Sequence, residues 1–77
     1  MFELYFLKTC PYCKKVIDYC ENSNIQLILK DITDIQNKEM LISQGGKEQV
    51  PYLFDNEKNI GLYESDEIIK YIKMREV

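Results

Sequence analysis

Residues Phe2 to Leu7 are an almost unbroken apolar run, and three residues after it comes Cys10-Pro11-Tyr12-Cys13. A run this short and aromatic-rich reads as a strand, and its lack of polar alternation marks a central strand covered on both faces. Pro11 suits a first helical turn, where its missing amide hydrogen costs nothing, and Cys13, Val16, Ile17 and Cys20 then recur at helical spacing on one face. A doubly covered strand leading straight into an amphipathic helix confines the chain to an α/β layer architecture.

The remaining pattern fits that frame. Asn22-Ser23-Asn24 supplies turn chemistry at the end of the first helix, and Ile25, Leu27 and Leu29 alternate with Gln26, Ile28 and Lys30 as a second strand would. Thr33 and Gln36 have the spacing of a capping box, which predicts a helix from about Asp34 to Ser43 that stops at Gly45-Gly46. Tyr52-Leu53-Phe54 and Asn59-Ile60-Gly61 flank polar Asp55 to Lys58 and read as a β-hairpin. Ser65 is the expected N-cap of a last helix, with Asp66 and Glu67 in its first turn and Ile68, Ile69 and Ile72 facing inward. The order is βαβαββα, in one domain spanning 1–77.

With 45% hydrophobic residues in 77, the chain can bury a core despite 30% charged residues, so disorder is not expected. A net charge of −3 leaves no basic excess for nucleic acid or an anionic membrane. The apolar start carries Glu3 and lacks a basic n-region, so it does not read as a signal peptide, and no stretch approaches the roughly 20 apolar residues of a membrane helix. A cytoplasmic monomer is expected.

Three cysteines, two of them separated by only two residues, do not form the framework of a small secreted domain. The pair instead points to chemistry. Cys10 falls where strand gives way to helix, so free amides and the positive end of the helix dipole favour its thiolate and lower its pKa, with Lys8, Lys14 and Lys15 adding positive charge. Residues three apart on a helical turn have α-carbons about 5 to 6 Å apart, within disulfide range. Cys20 lies seven helical residues beyond Cys13, a rise of about 10.5 Å that exceeds the roughly 7 Å limit for a bridge, and reads as a small core residue. Zinc wants four ligands, and a chain with no histidine and one other cysteine does not supply them, so no metal is expected.

Lys8-Thr9-Cys10-Pro11-Tyr12-Cys13 after the first strand, together with Gln49-Val50-Pro51, resembles the dithiol active site and the Thr-Val-Pro element of the glutaredoxins, and the likeness covers nearly the full length. The resemblance implies a thioredoxin-like α/β fold, a four-stranded mixed sheet flanked by three helices, with a cis peptide bond before Pro51. It also implies a glutathione-dependent oxidoreductase that reduces protein disulfides and glutathionylated proteins through Cys10 and Cys13. The implied glutathione contacts are Lys8 and Lys47 for the glycine carboxylate, Tyr12 beside the reactive sulfur, and the Val50-Pro51 backbone for the cysteinyl part. The bland alternatives are solvated lysines, an exposed turn tyrosine and a proline that merely opens the third strand.

One segment departs from that family. Glutaredoxins commonly carry Gly-Gly before the last helix, whereas Gly61-Leu62-Tyr63-Glu64-Ser65-Asp66 is similar to the Glu-Ser element of glutathione transferase glutathione-binding domains. By that likeness the helix-start amides receive the γ-glutamyl carboxylate, and Glu64 or Asp66 pairs with its ammonium, with simple capping by Ser65 and Asp66 as the alternative. Three other readings rank below catalysis by this dithiol. One is a dimeric carrier of a glutathione-ligated iron-sulfur cluster. Another is a thioredoxin-like protein recycled by a flavoprotein reductase. The third, the N-terminal domain of a glutathione transferase, ranks lower because the chain stops at Val77.

Overall fold

The computed structural model describes residues 1–76, so Val77, the last residue of the expected domain, lies outside the described residues. The elements are β1 (Phe2–Phe6), α1 (Pro11–Asn22), β2 (Leu27–Asp31), α2 (Ile35–Gly45), β3 (Tyr52–Asp55), β4 (Ile60–Tyr63) and α3 (Ser65–Arg75). They build one sheet of order β2-β1-β3-β4, with β1 parallel to β2 and antiparallel to β3, and β3 antiparallel to β4. This is the thioredoxin-like α/β fold. A parallel pair needs a crossover, and α1 provides it between β1 and β2.

The apolar run of β1 is explained by its central place, since its residues serve two cores. Phe2, Leu4 and Phe6 pack with Cys13, Val16 and Cys20 of α1, Leu53 of β3, and Ile68 and Ile72 of α3. Tyr5 points to the other face, with Ile32, Leu41 of α2 and Tyr52 of β3. The register carries the same division, for Leu4 pairs with Leu53 and Tyr5 with Tyr52. Burying such side chains contributes about 1.5–3 kcal/mol each, which is what a chain of this size has to hold it together.

Three local expectations are corrected. At the start of α2, Thr33 does not cap: its hydroxyl donates to Asp31 at 2.8 Å, and Asp34 is the N-cap, accepting the Gln36 amide at 2.9 Å. At the start of α3, Ser65 is already helical and buried, and Glu64 stands in the cap position without a side-chain capping bond. Strand β2 begins at Leu27 rather than Ile25, and as the sheet's edge it leaves Leu29 half-exposed. No helix among the described residues is long and apolar enough to cross a membrane.

Candidate active site

Cys10 sits at the N-cap of α1 with extended backbone (φ −89°, ψ 113°), and Pro11 opens the helix behind it. The side chain takes the role a serine or aspartate usually fills: its Sγ accepts the Cys13 amide at 3.2 Å. That places the sulfur against one of the otherwise unpaired first-turn donors, at the helix end that attracts negative charge. Cys10 is partly exposed, whereas Cys13 is fully buried under it, and both are free thiols. Burial, reinforced by a hydrogen bond to Cys10, pushes the Cys13 thiol up to about 12. The two sulfurs are therefore unequal, one reachable and one held protonated. Cys20, buried among the core side chains, is pushed up to about 11 by burial.

A groove of about 380 Å³ opens beside this turn, within the size range of small-molecule clefts. Its walls are Tyr12 from α1, Gln49, Val50 and Pro51 from the α2–β3 connection, and Glu64, Ser65 and Asp66 from the start of α3. The Val50–Pro51 bond is cis. Glu64 has φ +72° and ψ 122°, a conformation that costs a non-glycine residue about 1–3 kcal/mol and is kept mainly at ligand clamps and similar sites. Its carboxylate accepts the Gln49 side-chain amide at 3.1 Å, and Asp66 forms an ion pair with Lys15 of α1.

Six of the residues expected to bind ligand, Tyr12, Val50, Pro51, Glu64, Ser65 and Asp66, thus share one groove, which Tyr12 joins to the Cys10 turn. Lys8 and Lys47 do not line it. Lys8 borders a separate depression with Leu7, Lys14 and Asp18, and the Lys47 ammonium lies 4.8 Å from the centre of the Tyr63 ring. Gln49 lines the groove and was not among the expected ligand contacts; its sequence signal was its place as the first residue of the Gln49-Val50-Pro51 element.

A family model described as "Glutathione S-transferase, N-terminal domain" matches residues 4–76. The chain belongs to that family. The Glu64-Ser65 segment that set the chain apart from the glutaredoxins is the one whose likeness had pointed toward transferase glutathione-binding domains. No curated protein sequence matches the chain. Among solved structures, the thioredoxin-like protein BC3987 superposes with a TM-score of 0.79 at 16% identity, covering 92% of this chain and 97% of that one. The glutaredoxin grx-1 from Archaeoglobus fulgidus gives 0.76 at 18% identity, covering 92% and 84%. At such identities the likeness establishes a common fold for this member of the transferase N-terminal family.

Proposed function

We propose that the chain is a glutathione-dependent thiol-disulfide oxidoreductase in which Cys10 performs the exchange. The observation that carries this reading is the pairing of a partly exposed sulfur at a helix N-cap with a buried, protonated Cys13. A nucleophile must be reachable and stabilised as thiolate; its partner must stay silent until needed. In the first step Cys10 sulfur attacks the glutathionyl sulfur of a mixed disulfide. The S–S bond breaks, the substrate sulfur leaves with the electron pair and is protonated from water, and Cys10 holds glutathione. A glutathione thiolate then attacks that sulfur, releasing oxidised glutathione and restoring Cys10. Each mixed disulfide consumes one free glutathione thiol, the other half of the oxidised glutathione being the glutathionyl group taken from the substrate. With protein disulfides, Cys13 gives up its proton and attacks the Cys10 sulfur, releasing the second substrate thiol and closing a Cys10–Cys13 disulfide, which two glutathione thiols then reduce, leaving as oxidised glutathione.

The groove supports the tripeptide as ligand. The Val50 amide and carbonyl, at the groove wall, are the groups that pair with the cysteinyl part, as an added strand would. The first amides of α3 face a carboxylate, Glu64 and Asp66 face an ammonium, and Tyr12, 65% exposed, is free to pack against the bound peptide. Oxidised or glutathionylated proteins are the proposed substrates and a monomer in the cytoplasm the proposed working form.

The test is reduction of a glutathionylated peptide with glutathione and its reductase, run beside thioredoxin reductase alone. Turnover in the first assay, abolished in Cys10→Ser and kept in Cys13→Ser, is the expected result. Turnover only with the flavoprotein reductase, or an active Cys10→Ser, refutes the assignment.

A further inference from the structure

The α2–β3 connection that forms one wall of the groove is held from outside it. Among the described residues, positions 47–51 take part in no backbone–backbone hydrogen bond beyond those within the regular elements. Their polar ties are side-chain ones: Lys38 of α2 pairs with Glu48 at 3.3 Å, and the others come from two consecutive residues at the end of the hairpin. The Tyr63 hydroxyl accepts the Lys47 amide at 3.3 Å and donates to the Lys47 carbonyl at 2.9 Å, so one phenol satisfies both polar groups of one peptide position. One residue on, Glu64 receives the Gln49 side chain. The Tyr63 ring is itself fixed, with Tyr52 at 4.7 Å between ring centres on one side and the Lys47 ammonium over its face. Gly45 completes the arrangement, because a Cβ there would overlap the Tyr63 hydroxyl and leave it no place.

We infer that Tyr63 is a positioning residue for the groove: its hydroxyl sets where the Gln49-Val50-Pro51 backbone lies and hence how tightly a peptide-like ligand pairs with Val50. This rests on the function proposed above for the identity of the ligand, but not for the clamp. Tyr63 is not itself part of the groove lining and makes no hydrogen bond to Cys10, so it acts on ligand affinity and leaves the sulfur chemistry alone. It also assigns Lys47 a part in the clamp, through its main chain and its ammonium on the ring, in place of a direct ligand contact. A neutral hydrogen-bond pair of this kind sets the size of the effect at roughly threefold to tenfold in binding.

The test is Tyr63→Phe, which keeps the ring and its packing and removes the two bonds. Amide exchange by NMR should show the Lys47 amide protected in the wild-type chain by at least about tenfold over an open peptide, and unprotected in the variant while the β1 amides are unchanged. The KM for a glutathionylated peptide should rise about threefold to tenfold with kcat within about twofold, and the alkylation rate of Cys10 should not change. Gly45→Ala, which evicts the hydroxyl from the other side, should give the same KM shift. An unprotected Lys47 amide in the wild type, or an unchanged KM in Tyr63→Phe, overturns the inference. A wild-type chain that turns over no glutathionylated peptide refutes the proposed function instead, and Lys47 exchange with the Val50 chemical shift in the two chains then decides the clamp alone.

Discussion

Replacing Asp55 by alanine tests how α3 is anchored at the end away from the groove. Asp55 is 1% exposed and accepts the Tyr71 hydroxyl at 2.6 Å, Arg75 Nε at 3.1 Å and the Glu57 and Lys58 amides at 3.0 and 3.4 Å. Tyr71 and Arg75 lie one turn apart on α3, the helix whose first residues line the groove, so this carboxylate fastens α3 to the β3–β4 turn. Removing one member of a buried charged network costs about 3–5 kcal/mol. Arg75 keeps Glu57 at 3.3 Å and is partly open to water, which places the loss near the lower end, about 3 kcal/mol. A domain of this length has a total stability of about 4–12 kcal/mol, so the variant should lose a large share of it. At about 4–8 °C per kcal/mol, Tm falls by roughly 12–24 °C in thermal melts followed by circular dichroism. Asp55→Asn, which still accepts the two amides, should lose less. A loss under about 1 kcal/mol for Asp55→Ala, the effect of an ordinary surface change, would refute the reasoning.

The same group sets an acid limit. Burial alone would raise the Asp55 carboxyl, but the hydrogen bonds from Tyr71, Arg75 and the two amides outweigh it and hold it at about 2, against an ordinary 3.8. A carboxyl depressed in the folded state stabilises above its unfolded value, and that contribution is lost as pH falls toward the folded one. Urea midpoints should therefore drop between about pH 4 and pH 2 in the wild type, with this segment of the curve flattened in Asp55→Ala.

Two further outcomes separate the cysteines. With its thiol pushed up to about 12 by burial, Cys13 stays protonated at pH 7, so brief iodoacetamide treatment of the native chain should label Cys10 alone, and equal labelling by peptide mapping would contradict the burial of Cys13. Cys20→Ala removes a core sulfur and should cost about 1–2 kcal/mol in denaturant melts while leaving turnover per folded molecule unchanged; loss of turnover would give Cys20 a redox part.

What could be read from sequence tracks how local its cause is. β1 was legible because burial on both faces removes polar alternation, and α1 because Pro11 and the spacing of Cys13, Val16 and Cys20 act within a few residues. Gly46, left-handed at φ 84°, ends α2 where glycine was read as a stop. The errors arise where two residues compete for one role. Thr33 and Asp34 both suit an N-cap, and the choice went to Asp34 because Asp31 engages the Thr33 hydroxyl and amide. Ser65 lost the cap position to Glu64, whose positive φ no propensity favours. Alternation placed Leu29 on a strand but does not distinguish an edge strand from an inner one, and so did not show that Leu29 is half-exposed. Contacts across 15 or 16 residues, Gln49 with Glu64, Lys47 with Tyr63 and Asp55 with Tyr71, have no periodicity at all and required the folded chain.

The most direct trial of the central claim is to find where glutathione attaches. The reduced Cys13→Ser chain, unable to resolve an adduct, is mixed with oxidised glutathione and digested for peptide mass mapping. One glutathione on Cys10 and none on Cys20 is the predicted result; an adduct on Cys20, or none on Cys10, would contradict the assignment of Cys10 as the exchanging sulfur.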